Sequence, residues 1–395
     1  MQYDERCYEL GSRRSVIREL FEYGKKRKAE IGEENVYDFS LGNPSVEPPA
    51  EVTETLVSLL KTENATALHG YTSAQGDFGV RKVIADNLNA KNAVKLAPEL
   101  IYMTCGAAAS LTITLKALLH DGDEVVVFAP FFTEYRVFIE NAGGKTVVSL
   151  PEEKTFQADV ADLEKRITNK TRAVIMNSPN NPSGVVYTER TIKSIAKLLK
   201  EKSAEYGNDI LLISDEPYRE LVYGGVKVPF ICDYYDNSAI CYSYSKALSL
   251  PGERIGYIAL SPKMSGVQSF YLAICGAGRS LGYVCAPSLF QKLIARCDGL
   301  KSDVNVYREN RDILCEGLKD AGYEFVKPDG AFYLFVKALE KDANAFCERA
   351  KKYELLLVPC DDFGTEGYVR IAYCVDRKTI VGAIPQFKKL AKEYR

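Results

Sequence analysis

Short apolar runs alternate with helix-like stretches along most of the chain, and this alternation predicts its secondary structure. Five apolar, β-prone runs are predicted as buried strands, at residues 101–104, 124–128, 173–176, 210–214 and 239–242. The stretches between them predict helices that include residues 107–119 and 188–203. Short strands alternating with helices are typical of an α/β fold with a mostly parallel sheet covered by helices on both faces.

Small or polar residues follow four of these runs directly. The first run leads to Gly106, the third to Asn181-Pro-Ser-Gly184, the fourth to Asp215, and the fifth to Ser243 and Lys246. In parallel sheets, ligands bind at the carboxyl ends of the strands. The coincidence of these clusters therefore predicts a ligand site at that edge of the sheet.

The pattern changes over the last hundred residues. One long helix is predicted at 288–321, and antiparallel-type strands are predicted near 333–335, 355–358 and 368–373. These elements predict a smaller α+β domain, and an amphipathic N-terminal helix at 12–31 is expected to pack with it. We therefore divide the chain into a large, ligand-binding domain at 45–287 and a small domain formed by 1–44 and 288–395.

Composition and charge exclude several classes of function. The 395 residues carry a net charge of −2, which gives no electrostatic basis for binding nucleic acid or an anionic membrane. No run approaches the roughly 18 apolar residues of a membrane span, and the N-terminal residues lack the apolar core of a signal peptide. The 11 cysteines form no CxxC pair, so neither a metal site nor a disulfide framework is expected, and a cytoplasmic location is the simplest prediction. With only two histidines, acid–base chemistry is expected to fall to another residue type.

Lys246 is the most informative residue in the chain. It follows a buried strand, and Arg254 opens the next apolar run eight residues later. A buried ammonium without a partner is costly, so such a lysine either pairs or reacts. One interpretation is a Schiff base to an aldehyde cofactor whose phosphate is bound by the nearby hydroxyls and arginine. The other is a surface loop with two ordinary cations, and this segment alone leaves both open.

A phosphorylated pyridine aldehyde would account for all of these polar clusters together. Lys246 is the candidate amine for the aldehyde, and Asp215 is the candidate anion beside a protonated ring nitrogen. Asn181 and Tyr218 are candidate donors to the ring hydroxylate. Helix N-termini, hydroxyls and guanidinium groups bind phosphate, and the candidates for that role are Gly106, Ala107, Ala108, Ser243 and Arg254.

Three further residues, outside these clusters, are candidates for binding the substrate or the cofactor. Arg370 offers the planar, two-point fork that fits a substrate carboxylate. Phe132 follows a strand end, where an aromatic ring either covers a flat ligand or belongs to the core. Tyr71 lies in a glycine-rich loop, and the residue types alone favour a packing role for it.

Taken in order, these motifs resemble those of the fold type I, pyridoxal-phosphate-dependent aminotransferases of class I/II, the aspartate aminotransferase superfamily. The resemblance covers about residues 37–375. The matching motifs are Tyr71 with Gly76 and Arg81, Gly106-Ala107, Asn181-Pro-Ser-Gly184, Asp215-Glu-Pro-Tyr218, Ser243-x-Ser245-Lys246 with Arg254, and Arg370 in Val-Arg-Ile-Ala.

The resemblance implies a large domain with a seven-stranded sheet and specific roles at matching positions. Lys246 would bind the cofactor and act as the base for proton transfer, and Ser245 would join the phosphate-binding set. Phe132 stands where the family places a ring-stacking aromatic, often a tryptophan, which this chain lacks. Tyr71 would reach the phosphate of a neighbouring subunit, which implies a homodimer with shared sites and reverses the packing interpretation. Gly42 would lie near the substrate carboxylate.

The substrate is less well specified, and L-aspartate with 2-oxoglutarate is the favoured pair. A dicarboxylate needs a second cation. The resemblance implies that this is either a lysine in the phosphate loop or an arginine from the other subunit. The loop here, Gly-Ala-Ala-Ala, contains no lysine, and Arg279 lies close to where that arginine would fall. Arg13, Arg14 and Arg136 are rival candidates, and a structural or phosphate-binding role for Arg279 stays open. Aromatic or alanine-type donors are the alternatives.

Other reactions on the same fold also stay open. A C–S β-lyase acting on cystathionine-like substrates would use the same lysine and phosphate groups but release ammonia and pyruvate. A decarboxylase or cyclopropane synthase is less favoured. A transcriptional sensor is disfavoured because the residues before the family region are too few and too weakly basic for a winged helix.

Overall fold

The computed structural model describes residues 1–12 and 16–395, and these fall into two units by their internal contacts. The larger unit comprises Val46–Val304 and Asp329–Ala331. The smaller unit comprises Met1–Ser45, Asn305–Pro328 and Phe332–Arg395.

The strands and helices of both units are numbered along the chain. The strands are β1 (Tyr37–Asp38), β2 (Ile101–Thr104), β3 (Glu124–Phe128), β4 (Lys145–Ser149), β5 (Thr171–Asn177), β6 (Leu211–Asp215), β7 (Ser238–Ser243), β8 (Gly256–Leu260), β9 (Tyr333–Lys337), β10 (Leu355–Leu356), β11 (Val358–Pro359) and β12 (Tyr368–Ala372). The helices are α1 (Glu5–Ser12), α2 (Val16–Ile31), α3 (Ala50–Thr62), α4 (Ala65–His69), α5 (Phe78–Asn89), α6 (Ala107–Leu118), α7 (Glu134–Asn141), α8 (Val160–Arg166), α9 (Glu189–Tyr206), α10 (Tyr244–Ala247), α11 (Val267–Ser280), α12 (Ser288–Cys297), α13 (Val304–Ala321), α14 (Ala343–Ala350) and α15 (Arg377–Lys392).

A seven-stranded sheet with the order β2-β8-β7-β6-β5-β3-β4 forms the centre of the larger unit. Strand β8 runs antiparallel to both of its neighbours, and the other strands are parallel to one another. The predicted mostly parallel α/β fold is therefore confirmed. The strands are apolar runs without alternation because both faces of the sheet are covered: Ile213 and its neighbour Leu212 point to opposite faces and both are fully buried.

The carboxyl ends of the parallel strands meet at one edge of this sheet. Strands β6 and β7 end at Asp215 and Ser243, and β5 ends beside them at Asn177. Because β8 is antiparallel, its first residue, Gly256, lies at this edge, where it pairs with both Ser243 and Thr104. Residues that are far apart in sequence are thus brought to one place by strand pairing alone.

The smaller unit contains an antiparallel sheet of order β11-β12-β9 and a parallel pair, β1 with β10. Arg370 lies on the central strand β12, opposite Phe335 of β9 and Val358 of β11. Among the residues that the structure describes, no helix is both long and apolar enough to cross a membrane.

Two predicted helices differ from those observed. The stretch predicted as one helix at 288–321 forms α12 and α13, separated by a segment in which Gly299 has a φ of +91°, a conformation that an α-helix does not continue through. Helix α12 packs on α3, α4 and α5, so it belongs to the larger unit, whereas the sequence analysis assigned it to the small domain. At the N-terminus, α2 covers residues 16–31 of the helix predicted at 12–31, and α1 adds helical residues from Glu5 onward that were not predicted; residues 13–15 lie outside the described residues.

Candidate active site

Gly106 leaves an open space between a helix N-terminus and a guanidinium group. It precedes α6, with a φ of +91° and a ψ of 175°, a backbone conformation that is almost restricted to glycine. A Cβ at this position would lie 3.0 Å from Nη2 of Arg254 and 3.5 Å from Oγ of Ser243. No side chain caps α6, so the backbone N–H groups at its start, including those of Ala107 and Ala108, face this space with the positive end of the helix dipole.

Two serines and Arg254 complete this group of donors. Ser243 ends β7, and its hydroxyl accepts a hydrogen bond from the backbone N–H of Ser245 at 3.2 Å. The two serine hydroxyls lie 2.7 Å apart, and Nη1 of Arg254 donates to Oγ of Ser245 at 3.4 Å. A cation, two hydroxyls and a helix N-terminus around an open space are the donor set that a phosphate needs. We call Gly106, Ala107, Ala108, Ser243, Ser245 and Arg254 the phosphate cradle.

Asp215 is a buried carboxylate with one oxygen unsatisfied. Asp215 is the last residue of β6 and is 5% exposed. Its Oδ2 accepts a hydrogen bond of 2.5 Å from the hydroxyl of Tyr135. Oδ1 is buried and makes no hydrogen bond to any residue that the structure describes. Burial raises the pKa of Asp215 to about 7; the Tyr135 hydrogen bond opposes this rise and the Glu216 charge adds to it. A buried acceptor without a donor fits the N–H of a protonated heterocycle.

Tyr135, near the start of α7, was not identified from the sequence. Burial, and then the neighbouring Asp215, raise the pKa of its hydroxyl well above the usual value, so it stays protonated and donates. Its backbone N–H bonds to the carbonyl of Phe132 at 3.0 Å, and the two rings meet edge to face at 5.7 Å between centroids. The sequence feature that could have identified Tyr135 was its position, three residues after Phe132 and in the first turn of the next helix.

Asn177 was also missed, and it connects two of the predicted residues. Its side-chain amide donates to the backbone carbonyl of Asp215 at 2.9 Å, and its Oδ1 accepts from the backbone N–H of Asn181 at 2.7 Å. Asn181 is itself buried. Within the same loop, Ser183 donates to Oδ1 of Asn180 through both its backbone N–H and its hydroxyl, so it shapes the turn.

Lys246 lies on the short helix α10, three residues beyond the end of β7, and is half-buried. Strands β7 and β6 are adjacent, with Cys241 opposite Asp215, so the lysine follows the strand next to that carboxylate. Tyr218 is buried in the turn after β6, close enough to Tyr135 for its charge to affect that hydroxyl. The larger unit therefore gathers its predicted lysine, carboxylate and phosphate cradle at a single sheet edge.

In the smaller unit, Arg370 is 3% exposed and held on three sides. Its Nη2 donates to the backbone carbonyl of Ser40 at 2.7 Å, and its guanidinium lies 4.7 Å from the ring centroid of Tyr333 and 5.8 Å from that of Phe363. Gly42 lies against the same tyrosine, since a Cβ there would come within 1.9 Å of its hydroxyl oxygen. This arrangement presents a rigid, planar cation.

The residues predicted to act across subunits lie on the surface of the larger unit. Tyr71 is 98% exposed, and Arg279 is exposed on the last turn of α11. Of the rival arginines, Arg136 stacks on Phe131 at 5.1 Å, while Arg13 and Arg14 lie outside the described residues.

Comparison with known proteins adds an independent line of evidence. The family described as aminotransferase class I and II matches residues 34–385. An aspartate aminotransferase from Thermotoga maritima is 31% identical over 381 residues, which cover 94% of this chain and 96% of that protein. An aromatic-amino-acid aminotransferase 2 from Thermococcus litoralis is 30% identical, with 96% of each chain covered. The crystal structure of an amino transferase from Eubacterium rectale superimposes with a TM-score of 0.98 at 55% identity, over 100% of both chains.

Proposed function

The chain belongs to the class I and II aminotransferases, and we propose that this pyridoxal-phosphate-dependent transaminase moves the amino group of L-aspartate to 2-oxoglutarate. The observation that carries the assignment of the cofactor site is the buried Oδ1 of Asp215, which has no donor among the described residues. The phosphate cradle beside it supports the same assignment.

Each part of the cofactor has matching residues in the larger unit. When bound, pyridoxal phosphate supplies an electron sink for negative charge that develops at the substrate Cα. Oδ1 of Asp215 accepts the ring N–H, and the phosphate cradle binds the phosphate. Asn181 and Tyr218 donate to the phenolic oxygen, and Phe132 covers the ring. A carboxylate that stays ionised keeps the ring nitrogen protonated.

Lys246 is proposed to bind the aldehyde and to carry the proton in the reaction. As a free amine, its Nζ accepts the proton from the substrate Cα and later donates it again. Lys246 suits this role because it is half-buried: an ammonium group there is less well hydrated than in water, which favours the neutral amine that can accept a proton. Together with hydrolysis by water, which supplies the carbonyl oxygen, this proton transfer converts the amino acid into a 2-oxo acid and leaves the amino group on the cofactor.

Arg370 is proposed to bind the α-carboxylate of the substrate. Its guanidinium is held by Ser40 and by two aromatic rings, so little side-chain freedom remains to be lost when the substrate binds. Gly42 belongs to the same part of the smaller unit through its contact with Tyr333.

We further infer a homodimer in which the neighbouring subunit supplies Tyr71 and Arg279. Tyr71 is almost fully exposed in the single chain, which is unusual for a large aromatic side chain. Tyr283 and Val284 are also exposed, and their segment is joined to that of Tyr71 because the thiol of Cys285 donates to the carbonyl of Thr72 at 3.2 Å. Contiguous apolar exposure of this kind marks an interaction surface. The molar mass in solution tests the inference: a monomer at active concentrations contradicts it.

Glutamate formation from 2-oxoglutarate tests the choice of substrate. We expect kcat/KM to be highest with aspartate, and we expect Arg279→Ala to lower it about tenfold to a hundredfold for aspartate while leaving phenylalanine unchanged, since one charge-assisted contact is lost. Arg136→Ala is the matched variant for the rival arginine. A higher kcat/KM with phenylalanine would support the aromatic alternative, which the similarity to the Thermococcus litoralis enzyme favours.

A further inference from the structure

We propose that Tyr135 is a positioning residue for the reaction: its hydroxyl orients the Asp215 carboxylate so that Oδ1 is presented to the ring nitrogen of the cofactor. The inference rests on the proposed function, because it assigns the ring nitrogen to Asp215. It adds a residue that none of the family motifs in the sequence contains.

The hydrogen-bond pattern around Asp215 supports this role. Within the described part of the chain, Tyr135 donates the one hydrogen bond that the Asp215 side chain accepts, at 2.5 Å to Oδ2. This bond selects which carboxylate oxygen is left for a ligand, because a carboxylate held at one oxygen cannot rotate freely about its last torsion angle. Without the hydroxyl, neither oxygen would have a described partner.

The contact with Phe132 supports the same role from the other side of Tyr135. The ring of Tyr135 meets that of Phe132 edge to face, and the backbone of the same two residues is joined by a 3.0 Å hydrogen bond. One residue therefore contacts both the proposed ring-stacking group and the proposed partner of the ring nitrogen. Replacement of Tyr135 by Phe keeps the ring contact and removes only the hydroxyl.

The electrostatic surroundings of Asp215 determine how the loss of the Tyr135 hydroxyl would change the pKa of the Asp215 carboxylate. Asp215 is hydrogen-bonded to the Tyr135 hydroxyl and interacts electrostatically with the Glu216 carboxylate and the Cys241 thiol, and Tyr218 interacts with Tyr135. Of these, the Tyr135 hydroxyl lowers the pKa of Asp215, which burial and Glu216 raise. Loss of the hydroxyl makes the carboxylate more basic, so the shared proton shifts from the ring nitrogen toward Oδ1.

The test compares Tyr135→Phe with Tyr235→Phe in the full-length protein. Tyr235 is a matched control because it is also a buried tyrosine whose hydroxyl donates a hydrogen bond, at 2.7 Å to the carbonyl of Ile210. The primary measurement is the ¹⁵N chemical shift of ring-labelled pyridoxal phosphate bound to each protein. We expect the Tyr135→Phe shift to move toward the unprotonated value, with kcat about tenfold lower and KM for the amino acid unchanged, while Tyr235→Phe matches the wild type.

A double-mutant cycle with Asp215→Asn separates positioning from general packing. If Tyr135 acts through Asp215, adding Tyr135→Phe to Asp215→Asn produces no further fall in kcat. Additive losses, or a Tyr135→Phe protein with a wild-type nitrogen shift, would overturn the inference. A wild-type protein that binds no pyridoxal phosphate and forms no glutamate would instead refute the proposed function, and the inference with it.

Discussion

Gly106→Ala is predicted to weaken the binding of the cofactor, in addition to lowering the stability of the fold. The added methyl carbon would lie 3.0 Å from Nη2 of Arg254, about half an ångström inside ordinary contact, so the guanidinium must move away from the cradle. A hydrogen bond to a charged group contributes about 1.5–3 kcal/mol. The affinity for pyridoxal phosphate should therefore fall by roughly tenfold to a hundredfold.

The same substitution also strains the backbone, and this effect must be measured separately. With φ at +91° and ψ at 175°, an alanine costs about 1–3 kcal/mol. Gly207→Ala is the control, because Gly207 also has a positive φ, +65°, but its Cβ would meet nothing within 4 Å. Urea unfolding of the cofactor-free proteins measures the strain, and titration with pyridoxal phosphate measures the affinity.

The comparison between these two variants decides the outcome. Gly207→Ala should lose stability, about 1 kcal/mol, and retain wild-type affinity. A folded Gly106→Ala protein that binds pyridoxal phosphate as tightly as the wild type would show that the space beside Arg254 is not the phosphate site.

Three further predictions concern Lys246 and Asp215 of the larger unit and Arg370 of the smaller unit. Lys246→Ala should lower glutamate formation by at least about a hundredfold, whereas the exposed control Lys263→Ala should not, because Lys246 is the residue proposed to carry the proton; normal turnover of Lys246→Ala would refute the assignment. Arg370→Lys should raise KM for the amino acid about tenfold or more without changing affinity for pyridoxal phosphate, since a lysine lacks the planar fork; equal effects on both constants would contradict it. Because the folded pKa of Asp215 is raised to about 7, the cofactor-free protein should lose stability as the pH rises from about 4 to 7, since in this range the unfolded chain releases the Asp215 proton while the folded state still holds it. Urea unfolding at several pH values should show a flatter profile for Asp215→Asn, and identical profiles would argue against this shift.

The α/β class and the mostly parallel sheet were predictable because each strand is a local, continuous apolar run. Such runs record that both faces of a strand are covered, whatever covers them. Helix boundaries were less predictable: the interruption at Gly299 depends on one backbone conformation, and the placement of α12 depends on its packing partners α3, α4 and α5.

The candidate site also has parts that were predictable from the sequence and parts that were not. Segments such as Ser243 to Lys246 were recognisable because a strand end, a cap and a short helix involve consecutive residues. Their roles stay predictions until the variants are measured. The motif Asn181-Pro-Ser-Gly184 was recognised, but the hydrogen bonds by which Asn177 links Asn181 to Asp215 were not.

By itself, the sequence determined which residue types follow each strand and therefore which chemistry the sheet edge can offer. Only the tertiary structure decided which of these groups meet. Tyr135 and Asp215 are 80 residues apart, and Arg370 and Ser40 are 330 apart, yet each pair is joined by a hydrogen bond. Strand order and register bring such partners together, but they leave no local pattern in the sequence. A tyrosine is the same residue in the sequence whether its hydroxyl contacts water or a buried carboxylate.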